Sequence, residues 1–196
     1  SGCIIWTAYE ALTLWLYANS RLPLATDPVY FVLMMAAIPF LRLFHFYWVH
    51  RFSHWKPIYR SSHYLHHKNI NIGPWSGLSM HPIEHLLYFS GVLIHWVIPS
   101  HPIHSIFHLM HAGVSPALGH AGFHKLVGKG EKGLMADNYF HYLPHKYFDV
   151  NYGVEAVPLD KWFGSFHDGS SEAHAAMVER RKQKSKALSN ETVTSP

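Results

Sequence analysis

The sequence predicts an all-α, integral membrane helical bundle in which two apolar helix pairs carry a histidine-rich helical cap facing the cytosol. Three observations predict it. Only 14% of the 196 residues are charged while 48% are apolar, against roughly 25% charged in an average soluble domain. Apolar runs alternate with polar, aromatic, histidine-rich stretches. Histidine occurs 19 times, repeatedly in pairs three or four residues apart, the spacing that puts side chains on one helix face.

Taken in order, residues 3–18 (CIIWTAYEALTLWLYA) are apolar apart from Thr7, Glu10 and Thr13, and read as the end of a spanning helix. Residues 28–49 supply about 22 largely apolar positions, enough at 1.5 Å per residue to cross a hydrocarbon core of about 30 Å. Pro39 is expected to kink this helix, and Arg42 and His45 to mark its approach to polar surroundings. Residues 86–99 and 102–118 form a second apolar pair, broken by Pro99, Ser100, His101 and Pro102, that suits a helical hairpin or re-entrant pair better than two independent crossings. Residues 50–85 and 119–168 make the cap. A soluble fold with buried apolar helices is the competing architecture, since the summed hydropathy is near zero.

One domain is expected over residues 1–178, its N-terminus incomplete because the chain starts inside an apolar run. Residues 179–196 read as a basic, polar, disordered tail containing Arg180, Arg181, Lys182, Lys184 and Lys186. This cluster holds much of the basic excess behind the net charge of +4. Its setting among Ser, Thr and Asn, without interleaved aromatics, suits an anionic lipid surface and argues against nucleic acid. The single cysteine, Cys3, excludes an internal disulfide framework and a cysteine-based zinc site.

Any metal must therefore be held by histidine or carboxylate. Four clusters have ligand spacing: His50 and His54 (HRFSH), His63, His66 and His67 (HYLHH), His120 and His124 (HAGFH), and His141 and His145 (HYLPH). One such pair is more often a satisfied core contact. Nine histidines exceed one metal's coordination shell and can serve two. Redox-active irons would make the centre an oxygen-activating one, whereas zinc would make it hydrolytic or structural.

HRFSH, HYLHH and HYLPHKYFDVNYG, followed by PLDKWFGSFHDG, resemble the three histidine boxes and C-terminal signature of the fatty acid hydroxylase / sterol desaturase superfamily, and HPIEH (His81 to His85) resembles the segment after its second box. The resemblance runs from about Leu43 to Asp168. It implies a membrane-embedded catalytic domain with two iron ions, O₂ as oxidant, and hydroxylation or desaturation of a sterol, fatty acyl or related apolar lipid. It further implies a separate electron donor resembling cytochrome b5 or ferredoxin. The location would be the endoplasmic reticulum if eukaryotic or the inner membrane if bacterial, with the active site toward the cytosol. Position by position, the implied metal ligands are His50, His54, His63, His66, His67, His120, His124, His141 and His145. The departure is Pro144, where the family's third box has a further histidine, so nine of ten ligands are present. The alternatives are a zinc-dependent membrane hydrolase and a non-catalytic member weakened by Pro144.

Other polar residues have blander readings. His101, His104, His108 and His111 recur at helical spacing and are expected to bond between helices. His81 and His85 read as structural, with Glu84 an acceptor for an imidazole N–H. His45 stays a spare ligand, and Trp75 reads as an interfacial anchor. Asp137, Asn138, Asp149 and Asn151 flank the third box, and one of them is expected to orient a ligating histidine. Asp160, Trp162, Phe163 and Gly164 read as packing residues.

Overall fold

The computed structural model describes residues 1–68, 74–119, 125–127, 133–135, 143, 147, 150–154 and 157–193. Helices dominate. They are α1 (Gly2–Ala18), α2 (Pro28–Ser53), α3 (Lys56–Ile58), α4 (Tyr64–His67), α5 (Pro82–Phe89), α6 (Pro102–Gly119), α7 (Leu159–Trp162) and α8 (Ser171–Val193). A π-helical turn, Tyr59–His63, joins α3 to α4, and 3-10 turns lie at Pro74–Leu78 and Ser90–Trp96. The all-α expectation needs one amendment. Lys125–Val127 (β1) and Gly133–Met135 (β2) pair antiparallel, Leu126 opposite Leu134.

The longest element is α2. Asp27 caps it by accepting the Tyr30 N–H at 2.7 Å, with Pro28 at the first helical position, where its missing N–H costs nothing. The helix continues through Pro39 to Ser53. Its buried residues, Met34, Ile38, Arg42, Tyr47, His50 and Ser53, recur every three to five positions and form one stripe. The opposite face exposes Val29, Val32, Leu33, Phe40 and Phe44. This is the reverse of a soluble helix, with several polar groups inward and large apolar side chains outward. Among the described residues α2 is the one helix long and apolar enough to cross a membrane. The second apolar pair is shorter: α5 runs into a 3-10 turn that stops at Trp96, and α6, continuous over 18 residues, carries histidines among its apolar side chains.

Helix α1 packs on α5 and α6, and α6 on α2. The core between them is Tyr88, Phe89, Val92, Leu109 and Ala112, against which Trp6 and Phe46 pack. The loops after α1 and after the Ser90–Trp96 turn meet at one end, where Ser100 donates to the Pro23 carbonyl at 3.0 Å and Ala25 donates to that of Ser100 at 3.3 Å. The opposite end of α2 carries His50 and His54.

Of the four histidines expected to bond between helices, His104 and His108 do so, whereas His101 Nδ1 accepts the Ile103 N–H of its own helix at 3.2 Å and His111 Nδ1 has no hydrogen-bond partner among the described residues. His95 and His108 share a hydrogen bond of 3.1 Å, and His104 Nε2 donates to the Phe31 carbonyl at 3.0 Å. His45 bonds the Ser90 hydroxyl at 3.0 Å, so it is occupied by helix packing rather than held in reserve. The basic stretch read as a disordered tail lies, through Val193, in α8. Residues 172–188 are rich in Ala, Glu, Lys, Arg and Gln, all strong helix formers, and Ser170 accepts the Ala173 N–H at 3.1 Å at the start. Met177 packs on Leu143 and Val150. The guanidinium groups of Arg180 and Arg181 bond the carbonyls of Gly164 and Tyr147.

Candidate metal centre

Helical spacing brings the first two clusters together. His50 and His54 are one turn apart on α2, and their Nε2 atoms lie 3.2 Å from each other. His63 and His67 are likewise one turn apart across the junction of the π turn and α4, with Nε2 atoms 3.0 Å apart. One ligand atom from each of the four rings falls within 4.8 Å of all the others. Metal–imidazole bonds of about 2.1 Å put two ligand nitrogens on one ion roughly 3 Å apart, so this donor set suits a metal. His50, His54 and His63 are buried and His67 is half-buried.

Two of the rings are fixed through their other nitrogen. His50 Nδ1 donates to the Tyr152 carbonyl at 2.7 Å, leaving Nε2 to bind. His63 Nδ1 and Glu84 Oε1 share a 2.6 Å hydrogen bond. Burial raises the Glu84 carboxyl to about 8 and holds the His63 imidazole down to about 3. Both shifts disfavour charge, so the contact is a neutral hydrogen bond rather than an ion pair, and neutral imidazole is the ligating form. When Nε2 ligates, Nδ1 carries the proton and Glu84 accepts it.

Glu84 thus has the acceptor role expected of it, while His81 and His85 serve the helix. His81 Nδ1 accepts the Ile83 N–H at 3.3 Å at the start of α5, and the buried His85 lies 3.2 Å from the Ser1 hydroxyl. His66 is buried with its ring centre 5.5 Å from that of His63, and it turns toward a neighbouring cleft instead of joining the four. Residues three apart diverge by about 60° around a helix and residues four apart by about 40°, so the second cluster is divided between two directions. His120, His124, His141, His145 and Pro144 lie outside the described residues, as do Asp137, Asn138 and Asp149. Trp75 sits in the Pro74–Leu78 turn.

Asp160 has a larger role than packing. Its buried carboxylate accepts the Tyr152 N–H at 2.9 Å, the Gly153 N–H at 2.8 Å and the Ser165 hydroxyl at 2.6 Å. It therefore fixes the backbone whose carbonyl holds His50. Gly153 leaves little room here: an added Cβ would lie 3.1 Å from Asp160 Oδ2 and from the Tyr47 ring, so a neighbour would have to give by a few tenths of an ångström. Asn151, at φ 52°, accepts the His167 N–H at 2.8 Å and donates to the His167 carbonyl at 2.7 Å. It pins the signature segment rather than a ligand ring. A local sequence signal could have found Asp160, since an acid that follows the apolar run Val157, Pro158 and Leu159, eight positions after Tyr152, must meet donors if buried.

Residues 32–165 match the fatty acid hydroxylase family. Among curated proteins the chain is 30% identical over 122 residues to a Delta(7)-sterol 5(6)-desaturase of Gibberella zeae, covering 61% of this chain and 37% of that protein. It is 32% identical over 140 residues to a Delta(7)-sterol 5(6)-desaturase of Aspergillus fumigatus, covering 61% and 43%. A third such desaturase, from Eremothecium gossypii, is 25% identical over 179 residues, covering 89% and 47%. The chain thus spans about a third to a half of the length of the curated relatives it matches. No solved structure matches it. A family match across most of the chain, with two of its histidine boxes converging on one point, places the protein in the fatty acid hydroxylase / sterol desaturase superfamily.

Proposed function

We propose that this chain is the catalytic part of a membrane-embedded di-iron enzyme that uses O₂ to hydroxylate or desaturate a lipid, sterol-like or fatty acyl. The observation that carries the proposal is the convergence of His50, His54, His63 and His67, with His50 and His63 steered by the Tyr152 carbonyl and Glu84. These four would hold one iron. His66, His120, His124, His141 and His145 would serve the second, with position 144 leaving that site one histidine short of the family's pattern. Iron would supply the oxidising power that side chains lack.

The protein's own groups disfavour charge on His63 by burial, fix the tautomers of His50 and His63, and border an apolar cleft lined by Phe46, Val49 and Met80 that reaches His50, His63 and His66. Substrate held there would sit beside the metal centre while bulk water is excluded. The outward apolar face of α2 supports a membrane location. A separate donor protein would supply electrons, and the relatives' activity supports a sterol-like substrate.

Two measurements test this reading. Metal analysis of the purified protein should find iron rather than zinc. Incubation with a lipid extract, O₂ and a reductant should give a product heavier by one oxygen or lighter by two hydrogens. A zinc-loaded protein, or an iron-loaded one that leaves every lipid unchanged in the presence of reductant, would overturn it.

A further inference from the structure

The cleft beside the metal centre extends along α2 from His50 back to Arg42, with Tyr88 and Ser115 beside it. Its walls are otherwise largely apolar. Arg42 is therefore out of place. It is 8% exposed, yet among the described residues it forms no ion pair. Its contact with the Tyr88 hydroxyl, from Nη1, is long at 3.5 Å, and that hydroxyl already donates to the Ala112 carbonyl at 2.8 Å. Arg42 Nε is buried with no acceptor among the described residues. Glu84 is the one carboxyl among the residues lining the cleft, and it is engaged with His63 rather than with Arg42.

A guanidinium withdrawn from water without an anion or enough acceptors burdens the fold. An ionisable residue inside an apolar helix is retained where something it meets requires it. Five N–H donors in a planar fork are suited to oxygen acceptors. The cleft is open and apolar along its length, cationic at one end and bordered by the histidine cluster at the other.

We propose that Arg42 is a specificity-determining residue that holds the oxygen-bearing end of an otherwise apolar, elongated substrate. Arg42 precedes His50 by eight residues, about 12 Å along the helix at 1.5 Å per residue. Anchoring one end at Arg42 therefore sets which part of the molecule lies beside the metal ligands. The acceptor is a carboxylate or a hydroxyl. This inference rests on reading the cleft as the substrate's place, and it is tested by binding rather than turnover.

Binding to the purified protein would be measured for palmitate, hexadecanol and hexadecane, and for cholesterol against cholestane, in the natural sequence and in R42M. Iron content and melting temperature would be recorded for both. In the natural sequence at least one oxygen-bearing probe should bind about tenfold or more tightly than its hydrocarbon partner, the scale of one charge-assisted hydrogen bond. R42M should erase that difference, leave iron content unchanged, and melt at the same or a higher temperature, because it removes a buried charge that the fold does not use. Tightest binding of palmitate identifies an anionic end, and tightest binding of hexadecanol or cholesterol a neutral hydroxyl. Discrimination that survives in R42M overturns the inference. So does an R42M protein that is destabilised or unfolded, since Arg42 would then be a structural group. Loss of discrimination in a protein without iron would uphold this inference while defeating the proposed di-iron chemistry.

Discussion

His63 and Glu84 form the most consequential pair of side chains in the described site. Replacing Glu84 by Gln keeps an oxygen acceptor for the Nδ1 proton but removes the carboxylate that a cationic centre would favour. Losing a partner of this kind typically costs ten- to a hundredfold in metal affinity. Chelator competition on Glu84→Gln should show a drop of about tenfold, whereas His63→Ala should lose the metal at that position altogether. The same pair sets a pH profile for the metal-free protein. His63 is depressed from 6.5 to about 3, so its contribution is intact above 6.5 and is lost as pH falls toward about 3. Glu84 is raised from 4.5 to about 8, so its contribution is intact below 4.5 and is lost as pH rises toward about 8. Between pH 6.5 and 8 only the Glu84 contribution changes, and the melting temperature should fall across that window. In Glu84→Gln the fall should vanish, and a fall that persists unchanged would mean that Glu84 is ionised throughout.

At the scale of elements, the segment from Asn151 to His167 is a brace for α2. Asp160 gathers three donors from it, Phe163 stacks on Tyr47 with ring centres 5.9 Å apart, and Tyr152 delivers its carbonyl to His50. Asp160→Ala would leave three buried donors without an acceptor, at roughly 1–3 kcal/mol each. The expected loss is about 3 kcal/mol or more, read by chemical unfolding, with metal affinity falling too because the Tyr152 carbonyl is released. Ser165→Ala removes a single donor and should cost about 1 kcal/mol. If the two variants unfold alike, Asp160 is not the organiser of this segment. The contrast between these elements explains what the sequence could reveal. The pairs His50/His54 and His63/His67 were legible because one helical turn fixes their separation wherever the helix packs. The partner of His50 was not, because a backbone carbonyl carries no residue signature and lies 102 positions away. Arg42 read as a helix end nearing water because hydropathy registers a charge but not the direction it faces. The division of His66 from His67 depends on where α4 points, which only packing against α2 decides.

On the scale of the molecule, α2 has the connecting loops at one end and the metal ligands at the other, and its 26 residues extend about 39 Å at 1.5 Å each, more than the roughly 30 Å of a hydrocarbon core. Its neighbours α1 and α6, at 17 and 18 residues, reach only about 26 and 27 Å, so a spanning bundle requires the membrane to meet α2 over most of its length. A re-entrant bundle would instead keep the loops near the depth they dip to and return them to the side of the cap. The basic helix α8 is tied to the ligand end through Arg180, Arg181 and Met177. By the excess of basic residues in cytoplasmic segments, that end is expected to face the cytosol. The two arrangements differ at Thr26, which is exposed in the loop before α2, and agree at Glu179, which is exposed on α8. Cys3 is the chain's single cysteine, so a Cys3→Ser background allows one reporter thiol at a time. With a membrane-impermeant maleimide, Glu179→Cys should react only from the cytosolic side and Thr26→Cys only from the opposite side. Labelling of both positions from the cytosol would show that the helices dip into the membrane and return. Labelling of Glu179→Cys only from the non-cytosolic side would invert the orientation, leaving the histidine cluster facing away from any cytosolic electron donor.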